Sequence, residues 1–416
     1  MKYILLIGDG MGDVPVDSLG GKTPLEAAAT PTLDRLAPAS ELLLTHTVPA
    51  GFPPGSDVAN LSLLGYEPQE VYSGRAPLEA ASMGVELGPN DIAFRCNLVH
   101  VEKKASGELI MADYSAGHIT TVEARELIQA LQANCGNRHI TLYPGVSYRH
   151  LLVLHGPLPP SFTTVPPHDH SGQNVAPFFS NYKEIEPLAQ LYACGPDVLT
   201  KHQINKQRAA NGKTKANFFW LWGEGKRPSM STIREHYGLS GGMISAVDLL
   251  KGIGVLSGLK VIDVPGATGY LDTNYAGKAQ AALDVLAADD FVAVHVEAPD
   301  ECGHQGLLTE KMRAISDFDA YIVRPIVEEM ERRQEPFRLV VTMDHYTPLH
   351  LRTHVDWPVP MLLYDTRSRS TGGLLYSEAN TRLTVEHNGR SFASGRAFFQ
   401  YFVEHKAREQ AQHRPD

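Results

Sequence analysis

At 416 residues, 43% hydrophobic and 20% charged, the chain has the composition of a globular protein and a length that suits two domains better than one. Its net charge of −10 argues against a general affinity for nucleic acid or for an anionic membrane, although a local arginine pocket could still take a phosphorylated metabolite. The four cysteines, Cys96, Cys135, Cys194 and Cys302, are widely spaced with no CxxC pair, so neither a thiolate zinc site nor a disulfide scaffold is expected.

The first element is Tyr3-Ile-Leu-Leu-Ile-Gly, an apolar run of strand length that ends in glycines and a carboxylate, so Asp9 sits where a buried strand opens into a loop. No room is left before it for a signal peptide and no apolar stretch reaches spanning length, so a cytoplasmic location is expected. A helix near 24–36 and a strand near 42–47 follow. The turn Pro53-Pro-Gly-Ser56 then leads into a helix at 57–65. Ser56 thereby falls at a helix N-terminus, as N-cap or as nucleophile, where backbone N–H groups and the helix dipole favour a phosphoserine. Asp57 reads as a first-turn carboxylate, Asp13 and Asp272 as turn or supporting groups, and His118 as the start of a helix.

Residues from about 90 to 230 differ in character. They contain the strand-like Arg149–His155, a loop from Pro159 to Val175 rich in proline and histidine, the basic stretch Lys201 to Lys215, and Phe218-Phe-Trp-Leu-Trp222, which reads as a buried strand. This is an inserted α+β cap domain over 89–227, and it leaves a discontinuous domain of 1–88 and 228–416. Beyond it, helices are expected near 243–257, 276–287 and 309–332, and strands near 261–264, 291–296, 338–343 and 360–364. The alternation predicts an α/β fold with a mainly parallel sheet flanked by helices.

Two of those strands end in metal-ligand residues. Phe291-Val-Ala-Val-His-Val-Glu-Ala-Pro leads to Asp300, with His304 spaced to converge on the same ion. Leu339-Val-Val-Thr-Met leads to Asp344 and His345, with His354 nine residues beyond. His350 is a competing imidazole, read as surface. Carboxylate and imidazole donors together suit Mn²⁺, Zn²⁺ or Mg²⁺, and the mixture favours a transition metal. Two ions about 4 Å apart would activate a serine hydroxyl and neutralise the entering and leaving oxygens of a phosphoryl transfer. The serine alone would do little at neutral pH.

The chain resembles the archaeal type of cofactor-independent phosphoglycerate mutase, within the alkaline phosphatase superfamily. The resemblance runs through Gly21-Lys-Thr-Pro-Leu-Glu-Ala, Pro31-Thr-Leu-Asp-Arg-Leu, Gly55-Ser-Asp-Val-Ala-Asn-Leu-Ser-Leu-Leu-Gly-Tyr66, Ser73-Gly-Arg-Ala-Pro-Leu-Glu-Ala, Ala93-Phe-Arg-Cys-Asn97, Pro265-Gly-Ala-Thr-Gly-Tyr-Leu-Asp-Thr-Asn274 and the stretch from Asp300 to His304. It implies an alkaline-phosphatase-like core. It also implies that Asp300, His304 and His354 hold one ion, that Asp9, Ser56, Asp344 and His345 hold the other, and that Ser56 is transiently phosphorylated. Two divalent cations, Mn²⁺ first, and no 2,3-bisphosphoglycerate would then interconvert 3- and 2-phosphoglycerate, a step of glycolysis and gluconeogenesis. Arg75, Arg95, Arg149, His168, Asp169, His170, Arg208 and Lys251 are the candidate substrate residues. A homo-oligomer is compatible with all of this.

Around the ligands the chain departs from the archaeal pattern, with Glu297 where a lysine is usual and with Pro299, Met343 and Tyr346 beside the metal residues. The Glu-Ala-Pro-Asp form resembles a bacterial branch with a proposed homoserine kinase role. The alternatives are therefore phosphate delivery to another small hydroxylated acceptor, or phosphatase action; no GxxxxGK[ST] loop argues for a nucleotide. A non-catalytic sensor of a phosphorylated metabolite would be expected to have lost a ligand or the serine.

Overall fold

The uniformly apolar runs near the two ends of the chain become strands of one sheet. In the computed structural model, which describes residues 1–159, 161–368, 373–388 and 390–403, the chain divides into two units. One comprises Met1–Tyr72 and the chain from Ser229 onward, the other Ser73–Pro228. Strands β1 (Lys2–Gly8) and β2 (Glu41–Thr45) belong to the first unit. Strands β3 (Asp91–Lys103), β4 (Leu109–Asp113), β5 (Ile140–Tyr143), β6 (Arg149–His155) and β7 (Phe218–Gly225) form the second unit's sheet. The first unit resumes with β8 (Gly241–Ile244), β9 (Lys260–Val261), β10 (Phe291–Val296), β11 (Phe337–Thr342), β12 (Val359–Asp365) and β13 (Ser391–Phe392).

The first unit's sheet runs β13-β2-β12-β11-β1-β10-β8-β9. Its pairings are parallel except at β12, which is antiparallel to both β11 and β2. Every residue of β10, β11 and β12 is buried, as strands covered on both faces require. The helix Tyr275–Ala288 packs on β8 and β10. This is the mainly parallel α/β architecture expected.

Several local expectations are corrected. The helix expected over 24–36 is two, Pro24–Ala27 and Pro31–Leu36, because Pro31 supplies no N–H and restarts the helix as its first residue. The N-terminal part of the helix expected over 243–257 is strand β8, and the helix starts only at Asp248. Gly241 explains this: a Cβ there would lie 2.3 Å from the Phe291 carbonyl oxygen, so only glycine lets β8 approach β10. The long helix at 309–332 is Leu308–Phe318 and Arg324–Arg333 joined by a π-helical turn, Asp319–Val323. The buried Asp319 carboxylate accepts the N–H groups of Thr32 and Leu33, and so caps Pro31–Leu36 from another element. The strand at 261–264 shrinks to Lys260–Val261, and His118 precedes a helix that Thr120 caps.

In the second unit β3 pairs antiparallel with β4, β6 and β7, and β6 with β5. Helix Arg75–Ser82 belongs here because Ala76 and Ala80 are buried with Ala93, Leu151 and Val153. Helices Thr121–Cys135 and Glu186–Lys201 pack together and are joined by a Cys135–Cys194 disulfide, which corrects the expectation of none. The partners are 59 residues apart, a spacing with no signature, and only the packing of the two helices brings them together. The basic stretch at 201–215 becomes the end of one helix and the helix Gln203–Ala210. Within the loop of 159–175, residue 160 lies outside the described residues, as do residues 404–416 at the far end of the discontinuous domain.

Candidate metal centre

Three parallel strands deliver the ligand residues from their C-terminal ends, the usual place for a site in an open α/β sheet. β1 ends at Gly8 and hands on to Asp9; β10 leads into the helix Ala298–Gln305 with Asp300 and His304 one turn apart; β11 hands on to Asp344 and His345. Ser56 is the first residue of the helix Ser56–Leu63, and its cap is Gly55, so the serine hydroxyl is not the N-cap. His354 lies in the loop before β12. All seven residues belong to the first unit, and Asp9, Asp300, Asp344 and His345 are buried.

They form two clusters. In one, His304 Nε2 lies 3.2 Å from Asp300 Oδ2, His354 Nε2 lies 3.4 Å from Asp300 Oδ1, and the two Nε2 atoms are 2.8 Å apart. In the other, His345 Nε2 lies 3.2 Å from Ser56 Oγ, 3.5 Å from Asp344 Oδ2 and 3.6 Å from Asp9 Oδ1. The supporting hydrogen bonds fix which ring nitrogens face these points. His304 Nδ1 is 3.0 Å from the Arg352 carbonyl and His354 Nδ1 is 3.4 Å from the Pro54 carbonyl, acceptors that demand an N–H. Thr347 donates its hydroxyl proton to Asp300 Oδ1 and so accepts from His345 Nδ1 at 3.3 Å. All three histidines therefore turn Nε2 toward the carboxylates and keep Nδ1 on a supporting acceptor, the orientation in which Nε2 is the nitrogen a cation would take.

The electrostatics suit cations. Burial, with Asp344 and Asp300 close by, pushes the Asp9 carboxyl well above its usual range. Burial acts the same way on Asp300, but hydrogen bonds from His304 and His354 outweigh it and hold that carboxyl well below. His304 responds in kind: burial opposes charging, yet its bond to Asp300 lifts its pKa to about 9, so a cation binding there would displace a proton. Asp9 Oδ1 is buried without a hydrogen-bond partner, and among the described residues no lysine or arginine forms an ion pair with Asp9, Asp300 or Asp344. Three buried carboxylates converging with imidazole nitrogens and an open oxygen fit divalent ions. Asp300, His304 and His354 make one ligand set; further sets join Asp9 with Asp300 and His345, and Asp9 with His295 and Asp344.

Sequence reasoning missed five supports of this centre. Asn60, one turn after Ser56, donates Nδ2–H to Asp344 Oδ2 at 2.9 Å and to the Ser56 carbonyl at 2.8 Å. Thr347 holds Asp300, and the fully buried Lys311 ammonium donates to Asp13 Oδ2, Gly12 O and Thr347 O. His295 lies 2.9 Å from Asp9 Oδ2, and an imidazole in an otherwise apolar strand was the available signal. Gly10, at φ 58°, passes so close to Asp300 that a Cβ would lie 2.6 Å from its Oδ1. His350 is exposed, Asp57 caps within its own first turn, and Asp272 accepts from Thr268 at 2.6 Å.

Of the substrate candidates, the second unit sets Arg95 and His168 against Trp222, with Arg75 and Arg149 near enough to act on the Arg95 charge. The Arg95 guanidinium lies 4.1 Å over the Trp222 ring with Nε 3.0 Å from Glu79; burial lowers its pKa to about 10, against Glu79 and with help from Arg75 and Arg149. His168 meets the same indole edge-on at 5.7 Å, and burial together with Arg75 and Arg95 lowers its pKa despite Asp169 at 3.6 Å. His170 packs on Phe178 instead. Arg208 stands apart: buried, it donates to Thr214 O, Glu123 and Ala116 O, so its fork is spent on this unit's own fold and it is dropped from the substrate set. Lys251, in the first unit, pairs with Asp263 at 2.6 Å.

Fold and site together define an α/β protein with a buried carboxylate–imidazole centre beside a serine, the equipment of metal-assisted group transfer. A family model described as 2,3-bisphosphoglycerate-independent phosphoglycerate mutase matches residues 37–205. A Geobacter sulfurreducens protein named "Probable 2,3-bisphosphoglycerate-independent phosphoglycerate mutase" is 52% identical over 394 residues, 94% of this chain and 98% of that one. A Methanosarcina barkeri protein of the same family name is 51% identical over 366 residues, 88% of this chain and 91% of that one. Among solved structures, a Pyrococcus horikoshii protein superposes with TM-score 0.78 at 28% identity over 97% of both chains. The cofactor-independent phosphoglycerate mutase of Thermoplasma acidophilum superposes with TM-score 0.59 at 28% identity, over 92% of this chain and 94% of that one. The chain belongs to the 2,3-bisphosphoglycerate-independent phosphoglycerate mutase family.

Proposed function

We propose that this chain interconverts 3-phosphoglycerate and 2-phosphoglycerate through a phosphoserine at Ser56, with two divalent cations held by the seven converging residues. The observation that carries the reading is Ser56 Oγ at 3.2 Å from His345 Nε2, inside a ring of donors completed by Asp9 and Asp344. Asp300, His304 and His354 hold one cation and Asp9, Ser56, Asp344 and His345 the other, with Mn²⁺ the first choice for this mixed donor set. When bound, the cations stabilise the charge on the phosphoryl oxygens and on the serine oxygen.

Ser56 Oγ then gives up its proton and bonds to phosphorus as the bond to the substrate's 3-oxygen breaks, and that oxygen takes up a proton. The N–H groups at the start of the helix Ser56–Leu63 favour the phosphoserine that results. The retained glycerate turns, its 2-hydroxyl loses a proton and bonds to phosphorus, and Ser56 Oγ is released and takes up a proton again. Two in-line displacements give net retention at phosphorus. Arg75, Arg95 and Arg149 supply the flat cationic donors that suit the substrate's carboxylate and phosphate. As part of the same proposal the enzyme acts in the cytoplasm on this small metabolite. No helix among the described residues is long and apolar enough to cross a membrane.

The decisive assay offers 3-phosphoglycerate to Mn²⁺-loaded protein and measures 2-phosphoglycerate, free phosphate and glycerate together. The expected product is 2-phosphoglycerate with little free phosphate. Phosphate and glycerate without 2-phosphoglycerate would replace the mutase by a phosphatase or by transfer to another acceptor.

A further inference from the structure

His295 is fully buried near the end of β10, in an otherwise apolar strand. Parallel register sets it beside Ile7 of β1 on one side, and on the other Val294 pairs with Ile244, the last residue of β8, so that Ser245 follows alongside His295. Ser245, His295 and Asp9 thus form a row across three adjacent strand ends. His295 Nδ1 lies 3.4 Å from Ser245 Oγ, and Nε2 lies 2.9 Å from Asp9 Oδ2. Behind the row the buried Lys278 ammonium donates to the His295 carbonyl at 3.1 Å and steadies the strand.

We propose that His295 is a positioning residue that occupies Asp9 Oδ2 so that only Oδ1 faces the cations, with Ser245 selecting the imidazole tautomer that does so. The proton assignment follows from the partners. Ser245 Oγ already accepts the Val247 N–H at 3.0 Å, which leaves its hydroxyl proton for His295 Nδ1. The imidazole proton then sits on Nε2 and is donated to the carboxylate. Asp9 Oδ1, left without a hydrogen bond, is the oxygen 3.6 Å from His345 Nε2. The other histidines of the centre show the opposite pattern, with Nδ1 on an acceptor and Nε2 facing the ligand point.

His295 could instead ligate a third cation with Asp9 and Asp344. The tautomer opposes this: with Ser245 donating to Nδ1, the imidazole carries its proton on Nε2 and has no lone pair there for an ion, whereas a hydrogen bond to Asp9 Oδ2 at 2.9 Å uses that proton.

The inference rests on the metal centre proposed above, and the test separates the two. Chelator-stripped wild type, His295→Leu, His295→Gln and Ser245→Ala are titrated with Mn²⁺ by calorimetry, with circular dichroism of each metal-free protein as the folding control. Wild type should take two ions. His295→Leu should keep both sites with one weakened roughly 10- to 100-fold. His295→Gln, whose amide can donate to Asp9 Oδ2, should recover most of that loss, and Ser245→Ala should fall between. Wild-type affinity in His295→Leu overturns the inference alone, as does a count falling from three ions to two. Absence of any Mn²⁺ binding by wild type overturns the metal centre and the inference with it. Should His295→Leu not fold, Ser245→Ala carries the test, and unchanged affinity there overturns the proposal.

Discussion

Ser56 Oγ and His345 Nε2 stand 3.2 Å apart although 289 residues separate them in the chain. The contact joins the N-terminus of a helix to the end of β11, and it puts a hydroxyl where a lone-pair nitrogen and two carboxylate oxygens already converge.

Ser56→Ala should lose roughly 10³-fold or more of mutase turnover, because it removes the group proposed above to form the covalent intermediate. Its fold should be intact, since Gly55 rather than the serine hydroxyl caps the helix. Coupled enolase-type detection of 2-phosphoglycerate, with circular dichroism alongside, checks both points. Full turnover at saturating Mn²⁺ would remove Ser56 from the mechanism.

Stripping metal should lower the melting temperature, because the buried Asp9, Asp300 and Asp344 then face one another without countercharge. Ions that bind only the folded state add about 2.7 kcal/mol per site at a concentration one hundred times Kd. Scanning calorimetry with and without Mn²⁺ should show a rise in melting temperature, and Asp300→Asn should blunt it. An identical melting curve in both conditions contradicts the ligand assignment.

Lys311→Met should destabilise the first unit by about 3–5 kcal/mol, since it leaves the buried Asp13 carboxylate unpaired. It should also weaken Mn²⁺ binding. The Lys311 ammonium ties Gly12 O, in the loop of Asp9, to Thr347 O, in the loop of Asp344. Urea unfolding measures the first effect. Asp13→Asn added to Lys311→Met should recover part of the stability and little of the metal affinity.

His150 gives the second unit a pH dependence of definite sign. Burial lowers its pKa to about 3, and Nδ1 accepts the Gly145 N–H while Nε2 is buried without a partner. Between the unfolded value near 6.5 and about 3 the unfolded chain binds the extra proton, so stability is complete above pH 6.5 and falls as the pH drops through that window. From pH 7.5 to 5.0 the loss attributable to this residue is about 2 kcal/mol. His150→Asn keeps an acceptor for Gly145 and should remove that loss. Urea titrations followed by tryptophan fluorescence, with Trp220 and Trp222 in this unit, compare the two proteins.

The parallel sheet was legible because β1, β10, β11 and β12 are buried on both faces, and such strands are written as unbroken apolar runs. β8 was not legible: Gly241-Gly-Met-Ile continues into an apolar helix with the same composition, and only the closeness of Phe291 to Gly241 and of Val285 to Gly242 explains the two glycines. The Cys135–Cys194 bridge was equally hidden, since it depends on how two helices pack and not on any local pattern.

The candidate ligands Asp9, Asp300, Asp344 and His345 were visible because each comes shortly after an apolar strand and carries a side chain that such a position does not need for packing. What those motifs could not encode is proton placement. That Nε2 of His304, His345 and His354 faces the carboxylates is decided by Arg352 O, Pro54 O and Thr347 Oγ1, and at His295 it is Ser245 that meets Nδ1 while Nε2 meets Asp9. The sequence by itself determined the sheet, the strand-end carboxylates and imidazoles, and the family motifs, because burial period and residue chemistry are local properties of the chain. Only the tertiary structure decided which nitrogen and which oxygen each residue presents, because a hydrogen bond is set by distances of about 3 Å between groups that the chain itself leaves far apart.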